Sequence, residues 1–467
     1  MSPLKIRKLI RRSLKDKNLK EAVLKATESS LQSRRSLVDE IPYWEDLRGK
    51  NHSIKREVIE NLGQYLTQLE TNCLKNGIQV HWAVDDKEAR EIILSLAEER
   101  GVKRIVKSKS LTTEEIKLNS NLQEKGFDVL ETDLGEYIVQ LKDQVPSHLI
   151  MPALHLSRRD IGRLFEEKLG CQYTDDPNKL LQIARKILRE KFLRADMGIT
   201  GVNFAIAESG VLCIIENEAN ARLTLSLPRI HIAIMGIEKV LPNLEALPYI
   251  LKVLAPNATG QKASTYVHLI SGPTRGKYQE GPEEVHLILL DNGRLKVLKD
   301  PELRETLYCI RCGACLNSCP IYQLIGGHAY GWVYMGPIGI TLASQFLGEK
   351  RGKLSPFLCT LCRACADICP LRIDLPSHLL KLRTKIVESG QTSRLESIAL
   401  FIWAFLMRHP RLYRLVSWLP KKVQWLWPRG KSFPIPGYIK QRSFPVFDAK
   451  GFRKRYFDYL KRKDPGR

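Results

Sequence analysis

Eight of the eleven cysteines fall in two runs of one pattern. The first run is Cys309-Ile-Arg-Cys312-Gly-Ala-Cys315-Leu-Asn-Ser-Cys319-Pro320, and the second is Cys359-Thr-Leu-Cys362-Arg-Ala-Cys365-Ala-Asp-Ile-Cys369-Pro370. Each reads C-x2-C-x2-C-x3-C-P, the spacing with which bacterial two-cluster ferredoxins hold cubane iron–sulfur groups. Three closely spaced thiolates wrap one loop around three iron corners. The fourth cannot reach the same cubane from the following helical turn and crosses to the other. Proline after the last cysteine removes an N–H and sets the chain direction. The pattern predicts two [4Fe–4S] clusters. One is held by Cys309, Cys312, Cys315 and Cys369, the other by Cys359, Cys362, Cys365 and Cys319. Zinc takes four ligands, typically as two separated pairs, and disulfides belong to oxidising compartments. The chemistry expected of such a pair is one-electron transfer.

Other candidates carry weaker signals. Cys73, Cys171 and Cys213 are scattered and read as small buried hydrophobes. His328 and Tyr330 sit in the long insert between the runs, His328 as a packed histidine or as a donor to a cluster sulfur. Lys107-Ser108-Lys109-Ser110 precedes a helix whose start carries a Thr112/Glu115 capping box. Lysines and serines beside a helix N-terminus make an anion site. Polar segments at 196–203, 216–222 and 271–275 would join it to line a pocket at the strand ends, with Lys107, Ser108, Ser110, Asn203 and Arg222 as lining residues. Turns use the same residue types, so a plain scaffold is the competing reading, and no P-loop or dinucleotide fingerprint is present.

The elements that must position these residues fall into four stretches. Residues 1–75 show helical spacing of apolar residues. Residues 76–293 alternate strand and helix patterns, which argues for an α/β layer with a largely parallel sheet. Strands are expected at Ile78–Val84, Arg104–Lys107, Val129–Thr132, Glu136–Leu141, Phe204–Ile215 (broken by a turn at Glu208-Ser209-Gly210), His231–Met235 and Val285–Leu290. Helices are expected at Asp86–Arg100, Thr113–Glu124, Asp160–Leu169 and Lys179–Leu193. Residues 294–390 hold both cysteine runs, with helical patterns at Leu342–Leu347 and Leu375–Val387, and read as a helical ferredoxin. Residues 391–467 are basic and aromatic, with irregular chain laid over other domains expected from Phe433 onward.

Composition narrows the function class. The chain has 467 residues, 43% hydrophobic and 27% charged, with a formal net charge of +23. That length suits roughly two to four domains. The excess charge is concentrated in residues 1–35 and 401–467, which suits an anionic membrane surface or an acidic partner. No nucleic-acid signature accompanies it, so a nucleic-acid partner is not expected. The longest apolar run, Ile398–Met407, is too short to span a bilayer, which takes about 20 residues. No secretory signal is visible. The expectation is a cytoplasmic protein, with peripheral contact at the inner face of the membrane through the segment around Ile398–Trp403.

In motif order the sequence resembles the lactate utilisation protein B family. The residues that carry the resemblance are Lys107–Glu115 (KSKSLTTEE), Glu131–Tyr137 (ETDLGEY), Ala195–Ala207 (ADMGITGVNFAIA), Gly281–Glu284, Asp291–Gly293, Gly326–Gly339 (GGHAYGWVYMGPIG) and both cysteine runs. They cover residues 1–390; beyond that only Arg442-Ser-Phe-Pro445 matches. The resemblance implies a LUD-type α/β domain similar in fold to CoA transferases, followed by a helical two-[4Fe–4S] ferredoxin domain. It also implies the iron–sulfur subunit of a complex oxidising L-lactate to pyruvate. Its partners would be a cysteine-rich subunit similar to heterodisulfide reductases and a smaller subunit with the same α/β domain, with a quinone among the acceptors. The competing hypothesis is a small-molecule-binding or catalytic α/β protein whose clusters sense or brace.

Overall fold

Short β-branched runs bounded by turns build the centre of the protein. The computed structural model describes residues 3–276, 280–348, 352–391, 394–423 and 451–463. Ten strands are described: β1 Gln79–Ala83, β2 Arg104–Lys107, β3 Asp128–Glu131, β4 Met197–Gly201, β5 Phe204–Ile206, β6 Val211–Glu216, β7 Ile230–Gly236, β8 Val240–Leu241, β9 Tyr266–Ile270 and β10 Glu284–Leu290. Six form one sheet in the order β1-β10-β7-β4-β2-β3, every pair parallel. The others form a smaller mixed sheet, β8-β5-β6-β9.

Period-two alternation sets the two faces of the large sheet. Ile105 faces a core with Ile93, Leu122, Ile232 and Ile288, while its neighbour Val106 faces Tyr137, Phe165 and Leu188. A third core gathers Ala233, Met235, Leu287 and Leu289 with the N-terminal helices and the cysteine loops. Helices cover both faces, as an all-parallel sheet requires. Two compact units result, Met1–Glu388 and Ser389–Arg467.

The expected architecture holds: a parallel-sheet α/β domain followed by a helical ferredoxin domain. Several elements differ from expectation. Glu136–Leu141 is not a strand but part of the helix Leu134–Leu141, capped by Asp133, whose side chain accepts from Glu136 N at 3.0 Å. A short apolar run reads alike in both periods. The expected helix Thr113–Glu124 is two, Leu111–Glu115 and Leu118–Glu124, parted at Lys117 with φ +52°. The polar segment 196–203 contains β4, fully inside the large sheet.

The N-terminal helices Lys17–Asp39 and Trp44–Glu60 bury Val23, Trp44, Leu47 and Val58 in the core that also holds Cys312 and Cys369. Burying each such side chain contributes about 1.5–3 kcal/mol. In the second unit, helices span Arg394–Arg408, Pro410–Val423 and Gly451–Lys463. The last of these corrects the expectation of irregular chain there; residues 433–450 lie outside the described residues.

Candidate metal centre

The two cysteine loops repeat one local geometry. Arg311 and Gly313 in the first, and Leu361 and Arg363 in the second, are left-handed, with φ of +60°, +78°, +56° and +68°. Alternating handedness turns successive N–H groups inward as an anion-binding nest. Arg311 N donates to Cys309 Sγ at 3.4 Å, and Leu361 N donates to Cys359 Sγ at 3.3 Å. Each loop runs into a four-residue helix, Ala314–Asn317 or Ala364–Asp367, that carries the third cysteine. Cys319 then precedes the helix Pro320–Ile325, where proline at the first position loses no hydrogen bond.

The tertiary fold groups the cysteines across the two runs. Cys309, Cys312 and Cys315 line one small cavity together with Cys369, walled by Ile310, Ile338, Leu371, Ile373 and Leu375. In the other group, Cys319 feels the charges of Cys359 and Cys362, and Cys365 feels those of Cys359, Cys319 and Cys362. Burial pushes Cys312 and Cys315 well up, Cys365 to about 12 and Cys369 to about 11. Loading metal therefore expels protons, because only thiolates ligate. Cys362 alone of the eight is exposed.

Two buried donors mark what these sites take. Arg311 Nη1 and Tyr330 Oη have no hydrogen-bond partner among the described residues. Arg311 lines the cavity with Cys309, Cys312, Cys315 and Cys369, and Tyr330 lies within electrostatic reach of Cys319, Cys359 and Cys315. An unsatisfied buried donor costs about 1–3 kcal/mol. Soft thiolates in fours, with spare buried donors beside them, fit a sulfide-bearing [4Fe–4S] group.

Parallel strands bring their carboxyl ends to one edge, where open α/β sheets usually bind ligands. Here that edge is filled by an ionic network. Arg294, just past β10, donates to Glu115 at 3.0 and 2.9 Å and to Glu238 at 2.6 Å. Glu238 follows β7, and its other oxygen accepts from Arg311 at 3.4 Å. Tyr334 donates to Glu115 at 2.7 Å, and the Arg311 guanidinium stacks 5.0 Å from the Tyr334 ring centroid. Gly236 allows the approach, since a Cβ there would strike Arg294 Nε and Glu238 Oε2. His148 adds a tether from outside the network. Its Nδ1 accepts from Ile150 N at 3.0 Å and Met151 N at 3.1 Å, so Nε2 carries the proton and donates to Asn317 at 3.0 Å.

Of the expected pocket residues, all but Arg222 are drawn into the fold's own contacts. Lys107 is fully buried, 2.7 Å from Glu131 and 3.4 Å from Glu114, and donates to Thr113 at 2.8 Å. Lys109 is held by Ile150 O and Asp133. Ser110, not Thr112, caps the helix Leu111–Glu115, and Glu115 turns away to Arg294. Ser108 N donates to Ile199 O, and Asn203 Oδ1 accepts from Ile215 N. Arg222 is exposed, its backbone held by Glu216. These are the contacts of a scaffold rather than of an anion site. The carboxylates of Glu114, Glu131 and Glu136 lie within 4.8 Å of one another, and Lys107 already supplies the cation among them. Cys73 and Cys213 are buried as expected, while Cys171 is only half-buried. His328 bonds Val145 O at 2.7 Å and packs edge-on against His155. Sequence reasoning missed Arg294, Arg311, Tyr334 and Glu238. Arg311 carried a signal in its place inside the first cysteine run, and Tyr334 in its place within Gly326–Gly339.

Comparison with known proteins follows the same division. The LUD domain family matches residues 66–290, a 4Fe-4S dicluster domain matches 305–373, and the C-terminal domain of lactate utilisation protein B matches 381–458. Lactate utilization protein B of Bacillus cereus (strain AH820) is 40% identical over 454 residues, 96% of each chain. An uncharacterized electron transport protein of Escherichia coli (strain K12), YkgF, is 39% identical over 449 residues, 95% of this chain and 94% of its own. A duf162 family protein structure from Deinococcus radiodurans aligns with 49% of this chain and 98% of its own, at 16% identity and a TM-score of 0.27, too loose a superposition to inform the fold. The likeness therefore runs past residue 390, which corrects the narrower extent expected. A stretch rich in Trp, Pro and basic residues has no fixed-spacing motif to reveal it.

Proposed function

This chain belongs to the lactate utilisation protein B family, and from that premise we propose that it is the electron-carrying iron–sulfur subunit of a multi-subunit complex that oxidises L-lactate to pyruvate. The observation that carries this reading is the pair of four-cysteine groups in one unit, one walled in beside the α/β domain and one reaching the surface at Cys362. When bound, [4Fe–4S] clusters supply one-electron transfer at potentials that the surrounding protein sets. Cys309, Cys312, Cys315 and Cys369 would hold one and Cys359, Cys362, Cys365 and Cys319 the other. The N–H groups of Arg311, Leu361 and Ile373 donate to ligand sulfurs and favour the reduced, more negative state. Cys362 lets a partner approach within electron-transfer reach.

The partners would be a cysteine-rich subunit similar to heterodisulfide reductases and a smaller subunit with the same α/β domain. The competing reading, a ligand-binding α/β protein, loses its chief support because Lys107 is committed to Glu131.

We also propose peripheral attachment at the inner face of an anionic membrane. Helix Arg394–Arg408 leaves Leu395, Phe401 and Trp403 exposed, and Arg408, Arg411 and Arg414 follow. Apolar rings beside arginines suit a lipid interface. Among the described residues no helix is long and apolar enough to cross a membrane.

The decisive experiment is anaerobic purification with iron analysis and EPR after dithionite. Two interacting reduced [4Fe–4S] signals, also generated by L-lactate once the partner subunits are added, support the reading. A Cys312→Ser variant with full iron and full activity would sink it.

A further inference from the structure

Arg311 is placed to do more than brace its loop. Its guanidinium is buried, its Nη2 meets Glu238, and its Nη1 has no partner among the described residues. The residue lines the same cavity as Cys309, Cys312, Cys315 and Cys369. Other cations gather on the same side. Lys55 and Lys239 are within electrostatic reach of Cys309, and Arg34 is within reach of Cys312 and Cys369. Arg48 donates to Cys369 O at 2.9 Å. Glu238 and Glu115 offset Arg294 and Arg311, and Glu45 offsets Arg48, which leaves Arg34 as surplus positive charge.

The other cysteine group is equipped differently. Its spare buried donor is a neutral hydroxyl, Tyr330 Oη. Arg383 bonds Cys359 O at 2.6 Å, and Arg363 is exposed and pairs with Asp374. Solvent reaches this group at Cys362. Charge acts more strongly in a buried, low-dielectric setting than at a wetted surface.

Resting on the electron-carrier reading, we infer that Arg311 is a positioning residue that raises the reduction potential of the Cys309/Cys312/Cys315/Cys369 cluster above that of the Cys362 cluster. The Nη1 N–H of Arg311 donates to a sulfur of that cluster, and its positive charge stabilises the electron added there. Tyr330 does the same more weakly for the other cluster. One electron is added in each reduction, and no ligand leaves. The outer site then exchanges electrons with partners, and the inner site stores them.

The test is an EPR-monitored redox titration of the full chain with dithionite, for wild type, Arg311→Gln, Arg311→Lys and Tyr330→Phe. A Cys362→Ser variant marks which signal belongs to the outer cluster. Arg311→Gln is expected to make the inner cluster about tenfold harder to reduce, about 59 mV for one electron, with the outer midpoint unchanged. Arg311→Lys should recover part of that shift. Tyr330 lies nearest two ligands of the outer group and one of the inner, so Tyr330→Phe should move chiefly the outer midpoint, by less. If Arg311→Gln does not load iron, the lysine and phenylalanine variants decide in the same way. Unchanged midpoints at full iron content, or an Arg311 shift that falls on the Cys362-marked signal, overturn the inference and leave the electron-carrier reading standing. Wild-type chain that binds no iron overturns that reading instead.

Discussion

Arg294 and Glu115 face each other as a two-point ion pair, Nη1 to Oε1 at 3.0 Å and Nη2 to Oε2 at 2.9 Å, with both side chains about 1% exposed. They are 179 residues apart in sequence. Through Glu238 and Tyr334 the pair joins the carboxyl edge of the parallel sheet to the first cysteine loop. A site where related architectures admit a ligand is here the seam between two domains.

Breaking that pair from one side leaves a buried charge alone. Arg294→Met is expected to cost about 3–5 kcal/mol, whereas Arg294→Met with Glu115→Leu should cost less than the single change. Urea unfolding of the iron-loaded chain measures both. A double variant less stable than Arg294→Met alone would contradict the ion-pair account.

Pairs of cysteine changes test the crossing of ligands. Cys312→Ala with Cys369→Ala removes two ligands of one proposed cluster and should leave about half the iron. Cys312→Ala with Cys319→Ala strikes both and should leave little. Uncrossed ligation predicts the reverse order in an iron assay.

A pH dependence follows from Glu136. Burial, with the neighbouring Glu131 and Glu114 carboxylates, holds it well above the usual carboxylate range. The native state therefore keeps a proton that the unfolded chain has already lost. Its contribution to stability is present at acid pH and falls as pH rises from the ordinary glutamate range, about 4.3, toward the folded value. Glu136→Gln, which is neutral at every pH, should flatten this slope and stabilise the chain at pH 8 relative to wild type. Urea midpoints at pH 5.5 and pH 8 give the comparison, and parallel slopes for the two proteins would refute it.

Exposed aromatic residues on the helix Arg394–Arg408 predict vesicle binding. Full-length chain should sediment with phosphatidylserine-containing vesicles, less so in high salt, and Phe401→Asp with Trp403→Asp should abolish this. Equal sedimentation of the double variant would assign the helix to a protein partner instead.

How much was legible in the sequence differs from residue to residue. The eight cysteines were, because ligation by one loop depends on spacing along the chain. Strands such as β2, β7 and β10 were also legible, since burial on two faces demands a short, nearly continuous apolar run. Helix Leu134–Leu141 was not, because eight residues carry too few turns to separate the two periods. The motif at Lys107–Glu115 was visible as polar and basic, but its meaning was hidden. An anion site and a buried ion network use the same residue types, and what tells them apart is whether a carboxylate arrives from elsewhere. Here Glu131 comes from β3, the strand paired with β2, and Arg294 from beyond β10.

The sequence by itself determined the cofactor chemistry and the order of domains, because thiol spacing and hydrophobic period are properties of neighbouring residues. Only the tertiary structure decided that the strand ends are closed by Arg294, that Arg311 and Tyr330 keep spare buried donors beside the cysteine groups, and that Cys362 is the most exposed of the eight. Each of these depends on which distant segments the parallel sheet and its packed helices bring within a few ångströms, and no local pattern encodes that.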